Sequence, residues 1–96
     1  MQIELDRLAD FMGKLCGTAR YDWVSADSGD VGLHGVPIKQ WRDAYFEGCK
    51  DMAEGIASLV PVECRETMKQ IAQASFTKAF DEAKIASEKE RAELAR

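Results

Sequence analysis

Three observations in this 96-residue chain predict an all-α protein: a short N-terminal helix, a long loop, then a long antiparallel helical hairpin that works as a homo-oligomer. Before Pro61, Ile38, Trp41, Tyr45, Cys49, Met52, Ile56 and Leu59 recur three and four apart, the spacing of one helical stripe. After Pro61, Met68, Ala72, Ser75, Phe76, Ala79, Ala83 and Ala86 fall on one face of a second helix. Ahead of this pair lies a glycine-rich stretch without helical period.

The first helix is expected over residues 1–16, where Leu5, Leu8, Met12 and Leu15 form a stripe that Ile3, Phe11 and Cys16 widen. Glu4 and Asp6 suit the positive end of its dipole, and Gly17 is a natural C-terminal stop. Residues 17–36 hold four of the seven glycines with Ser25, Asp27, Ser28 and Asp30, so a loop is expected. Loops of this length in a small domain are often binding segments, and Tyr21, Trp23, Val24, Val31 and Leu33 need somewhere to pack. Pro37 fits the first turn of a helix running over 37–60. Gly48 and Gly55 lie inside it near one face, a pattern tolerated where another backbone or a ligand comes close. Val60 before Pro61 is pushed out of the helical region, so the chain turns there and the last helix spans 62–94. Lys84 with Glu88 and Lys89 with Glu93 mark its solvated end.

Composition fits a single helical domain over 1–96, with 46% apolar residues. Two long helices hide only one stripe each on the other, so the remaining apolar surface calls for further copies of the chain. The net charge is −4; residues 1–61 carry six Lys and Arg against ten Asp and Glu, and residues 62–96 carry seven against seven. Such a surface argues against binding duplex DNA or RNA, whose affinity comes from neutralising many phosphates. A small anion in a local basic pocket is compatible with it. Cys16, Cys49 and Cys64 show no CxxC spacing and suit reduced thiols in the cytoplasm. The first sixteen residues are too charged for a secretory signal, and no segment reaches the roughly 18 apolar residues of a membrane span.

The chemistry-bearing residues are few. His34 is the only histidine, and Asp27 or Asp30 would have to reach it for proton transfer, so a local hydrogen bond or a ligand contact is the expected role. The three cysteines and His34 lack the paired spacing of a zinc site, and the run from Asp27 to Gly32 lacks the closing glutamate of a calcium loop; no metal or cofactor is expected. Aromatic residues beside bases are more telling: Tyr21 and Trp23 follow Arg20, while Trp41 and Tyr45 flank Arg42 near Lys39. A nucleobase wants a flat apolar face and its phosphate a guanidinium or ammonium. Trp41 also lies on the helical stripe and is expected in the core. Arg65 and Lys69 stand near a helix N-terminus, where unpaired N–H groups favour an anion.

The pattern of Pro37, Arg42, Met52-Ala53, Ile56, Leu59-Val60-Pro61, Arg65-Glu66, the alanine-rich helix and Ile85-Ala86 resembles the hairpin of the phage anti-CBASS cyclic-nucleotide sponges, shared with certain anti-Thoeris sponges. The resemblance covers roughly residues 37–90. One more residue separates Pro61 from Arg65 than in the family, and Phe80-Asp81-Glu82 replaces its aromatic-asparagine character. The resemblance implies a non-enzymatic protein that sequesters cyclic di- or trinucleotide messengers in the host cell cytoplasm, as an interlocked homo-hexamer with pockets where protomers meet. In that reading Tyr21 or Trp23 stacks on a base, Lys39, Arg42 and His34 meet phosphates beside Tyr45, and Arg65 with Lys69 serves a second anion site. The rival is a small acidic helical inhibitor that covers a host nuclease or regulator.

Overall fold

Among the described residues the chain forms three α-helices, α1 (Gln2–Val24), α2 (Ile38–Ser58) and α3 (Val62–Leu94). The structure, a computed structural model, describes residues 2–26, 29, 31–32 and 35–95. The all-helical class is as the sequence predicts. No helix among the described residues is long and apolar enough to cross a membrane.

Helix α1 does not stop at Gly17. It continues through that glycine to Val24, and the expected loop over 17–36 shrinks to a connection over 25–37. The reason is tertiary. Ala19 is buried, the Tyr21 ring meets Phe80 edge-on at 5.6 Å, and Trp23 stacks on Phe46 at 5.9 Å, so α2 and α3 supply partners for each later turn of α1. Within the connection, Val31 and Pro37 form an isolated antiparallel bridge, the Gly32 N–H donates to the Val36 carbonyl at 2.8 Å, and Gly35 takes the left-handed φ of 74° that a residue without Cβ adopts freely. Asp27, Ser28, Asp30, Leu33 and His34 lie outside the described residues.

The turn at Pro61 is where the sequence places it. Helix α2 ends at Ser58, two residues before the expected limit, Leu59 closes it with an N–H to the Ile56 carbonyl, and α3 starts at Val62. What fills the hairpin differs from the expectation. Helix α1 packs along α3 and, over less of its length, along α2, while α2 and α3 make little direct contact. The alanine and serine face of α3 therefore serves α1. On α1 it meets Ala9, Gly13 and Gly17, a ladder of small residues four apart, which lets two axes approach more closely than leucine seams allow. A Cβ on Gly13 would collide with the Ala72 carbonyl oxygen and lie 2.9 Å from the Ser75 Cβ; one on Gly17 would collide with the Phe76 carbonyl.

The core sits at the turn end of the molecule. Ala9 and Met12 of α1 meet Val60 and Met68 there, with Leu5, Leu8, Ile56 and Ile71 packed around them. This core is thin. Among the described residues no large side chain is completely buried, and the Cα envelope measures 49 × 31 × 15 Å. Five large residues expected on apolar stripes are exposed instead: Phe11 at 62%, Trp41 at 61%, and Tyr45, Met52 and Leu59 with them. Helix α2 turns Cys49 and Ile56 toward α1 and leaves Trp41, Tyr45, Met52 and Leu59 outside, because the angle at which α1 meets it selects one edge of a broad apolar face. Gly48 and Gly55 have open space where a Cβ would stand.

Among the described residues, one side-chain hydrogen bond crosses the α1–α3 seam. The Ser75 hydroxyl, itself buried, donates to Asp10 Oδ1, and the Lys14 ammonium donates to Asp10 Oδ2 at 2.8 Å. Lys14 foremost, then Ser75, hold the Asp10 carboxyl below the usual carboxylate range. A folded-state value depressed in this way contributes stability above the unfolded value and loses it as pH falls through the folded one, so the window lies below about pH 4. Lys14 has its affinity for the proton raised by Asp10, so its contribution is complete below the ordinary lysine value and disappears only as pH rises through the raised one. Asp10→Asn is expected to flatten the acid limb of the stability curve between about pH 4 and pH 2. Acid unfolding followed by circular dichroism checks this; a variant curve parallel to wild type over that range would disprove the linkage.

Candidate functional site

The end of α1 is where most of the chemistry collects. Helix C-termini leave carbonyls without partners, and the last turn of α1 and the residues just past it attract two cations from α2. Arg42 donates through Nη1 to the Asp22 carbonyl at 2.9 Å, and Lys39 donates through Nζ to the Ala26 carbonyl at 3.3 Å. Two of the three residues predicted to meet phosphates are thus bonded to the backbone at the end of the first helix. Arg42 keeps further guanidinium N–H groups beyond that bond.

Beside them, α1, the start of α2 and the last turns of α3 border an open polar cleft of about 540 Å³. Tyr21 and Arg42 line it, together with Ser25, Ser87, Glu90 and Arg91. The cleft presents two guanidinium groups and an aromatic ring against two carboxylates, Asp22 and Glu90. Such a mixture binds an anion that also carries hydroxyl donors better than it binds a plain anion. Next to it, Arg20 lies over the Trp23 ring at 4.2 Å from the centroid, with Phe46 stacked on the same ring. Trp23 is therefore half-buried and already paired.

The other predicted residues lie elsewhere. Tyr45 stacks on Trp41 at 5.7 Å on the outer side of α2. Arg65 and Lys69 line a second, apolar groove between α2 and α3 whose floor is Met12, Gly13 and Cys16. Counting 1.5 Å per residue, Lys69 is about 27 Å along α3 from Ser87 in the cleft. Arg65 has a structural duty like that of Arg42: its Nε donates to the Val60 carbonyl and its Nη2 to the Ser58 carbonyl, both at 3.0 Å, closing the end of α2. His34 lies outside the described residues.

Sequence reasoning missed Ser87 and Arg91, because it treats the chain from Lys84 onward as a solvated end, and it leaves Phe80 off the apolar face of α3. The available signal was helical periodicity: Phe80, Ala83, Ser87 and Arg91 are spaced three and four apart and continue the face of Phe76 and Ala79. Among the described residues, no three His, Cys, Asp or Glu side chains converge as metal ligands. All three cysteines are free, and burial pushes the Cys16 thiol up, away from the thiolate form. Comparison with known proteins finds no matching family model, no matching curated protein and no matching solved structure.

Proposed function

We propose that the protein is a non-enzymatic sponge that sequesters cyclic di- or trinucleotides, acting as a homo-oligomer, hexameric by resemblance, in the cytoplasm of a phage-infected cell. The observation that carries this reading is the polar cleft at the end of α1, where Tyr21, Arg42 and Arg91 converge around a volume of 540 Å³. That volume falls within the roughly 300–1,000 Å³ of small-molecule sites. Arg42 and Arg91 would meet the phosphates, the Tyr21 ring would face a base, and ribose hydroxyls would donate to Asp22 and Glu90. Sequestration needs no bond cleavage. It needs affinity above that of the messenger's effector and enough protein to hold all of the messenger.

The test is a thermal-shift panel of cyclic di- and trinucleotides followed by recovery of the ligand after denaturation. A shift of several degrees with the ligand returned intact is the expected result. Arg91→Ala is expected to weaken binding about tenfold or more, the worth of a charge-assisted hydrogen bond. Arg42→Lys, which keeps a donor for the Asp22 carbonyl, is expected to do the same through the lost fork geometry. No shift across the panel would overturn the reading, and a cleaved ligand would make the protein an enzyme.

A second reading, an acidic inhibitor covering a host nuclease or regulator, is favoured by the exposed Trp41–Tyr45 pair. Aromatic residues of this kind anchor protein interfaces.

A further inference from the structure

The monomer exposes more surface than a compact chain of its mass. Its accessible surface is 7050 Å², against about 5,500 Å² for a compact chain of this mass, an excess of about 1,500 Å². The radius of gyration is 15.8 Å, where about 12.5 Å is usual for this length. Two apolar surfaces stand open on it. The first is the outer stripe of α2, where Trp41, Tyr45, Gly48, Met52, Gly55 and Leu59 alternate four and three apart, as in the seam of a coiled coil. Trp41, Tyr45, Met52 and Leu59 are 61%, 48%, 49% and 85% exposed, and nothing occupies the space over the two glycines. The second is the apolar groove between α2 and α3, about 460 Å³, with Arg65 and Lys69 on its rim.

We propose that these two surfaces are halves of one interface: the α2 stripe of one copy seats in the α2–α3 groove of the next. Three features select this occupant. Charge is the first, because Glu47 and Asp51 lie along one side of the stripe, Glu47 within 3.8 Å of Lys50, while Arg65 and Lys69 edge the groove beside a single carboxylate, Glu54. Pairing two stripes about a twofold axis would instead set Glu47 and Asp51 against their own copies, a like-charge clash. Direction is the second. Met52 on the stripe and Ala57 in the groove are five residues apart, about 140° around α2, so each copy offers the two surfaces on opposite sides and the contact runs head to tail. Area is the third, since a standard interface takes about 800 Å² from each partner and two such faces match the excess. Gly48 and Gly55, unexplained within one chain, then let the neighbouring backbone come close. A head-to-tail contact that closes makes a ring. This deepens the self-assembly named in the preceding reading and does not depend on the ligand.

The experiment is native mass spectrometry and light scattering of the intact chain over a concentration series. Wild type is expected to form a closed assembly larger than a dimer. Met52→Glu, which charges the stripe, and Ala57→Glu, which charges the groove, are each expected to be monomeric with at least a tenfold weaker association. Mixing them is expected to restore a one-to-one dimer, because the intact stripe of one variant fits the intact groove of the other. Leu59→Asp and Lys69→Glu form a second pair at exposed positions on which folding does not depend, and the same pattern is expected of them in weaker form. A monomeric wild type at all concentrations overturns both the interface and self-assembly. A wild-type oligomer that Ala57→Glu leaves intact while Met52→Glu destroys it overturns the groove as partner in favour of stripe against stripe. An oligomer that survives every variant overturns the interface alone.

Discussion

Gly17→Ala is expected to destabilise the protein by about 2 kcal/mol and lower its melting temperature by roughly 10–15 °C. Two effects compete. Alanine is favoured over glycine in a helix interior by about 1 kcal/mol, and at most helical positions that term decides the outcome. At Gly17 the added methyl meets the Phe76 carbonyl, a backbone group that cannot rotate away, and overpacking of that kind costs about 3 kcal/mol. Gly13→Ala is expected to behave alike, since the Ala72 carbonyl and the Ser75 Cβ stand in its way. Gly48→Ala is the control. With open space around it, the propensity term stands alone, and a gain of up to about 1 kcal/mol is expected at protein concentrations too low for association. Thermal unfolding of the three variants measures the contrast; a stabilised Gly17→Ala would mean that α1 and α3 are not in close contact.

Met12→Ala is expected to cost about 3 kcal/mol, or roughly 12–24 °C in melting temperature. Met12 is 6% exposed and sits in a cluster with Ala9 of α1, Val60 of the turn and Met68 of α3, against which Ala53 and Ile56 of α2 pack, so all three helices meet there. Losing its side chain forfeits the transfer energy of the buried carbons and leaves a gap that helices held by a three-residue turn close only in part. Met12→Leu keeps most of the volume and is expected to cost less than about 1.5 kcal/mol. Phe11→Ala, one residue away at 62% exposure, is expected to change stability by no more than about 0.5 kcal/mol in the monomer. Denaturant unfolding of the three variants reads the orientation of α1 directly; a Phe11→Ala as costly as Met12→Ala would contradict it.

Of the candidate site, the sequence makes legible the association of aromatic rings with basic residues around positions 20–45. It does not reveal that the cations have prior duties. Lys39 and Arg42 close the end of α1 and Arg65 closes the end of α2, because a helix terminus with unpaired carbonyls competes with any ligand for a nearby guanidinium or ammonium. Nor does it show that Arg91 joins Arg42 in one cleft, since 49 residues of chain separate them.

By itself the sequence determined what depends on neighbours along the chain. The helical class follows from apolar spacing, the break at Pro61 from the clash of its ring with the residue before it, and the start of α2 from Pro37. Tertiary structure decided the rest. Gly17 reads locally as a stop, yet α1 runs through it because the missing Cβ is what allows α3 to lie against that turn. The small-residue face of α3 reads as a seam for α2, but α1 is the partner whose glycines and alanine match it. An amphipathic pattern specifies which side of a helix is apolar, and only the arrival of a particular neighbour specifies which edge of that side is covered. Trp41 and Tyr45 stay uncovered on α2 because α1 takes the other edge.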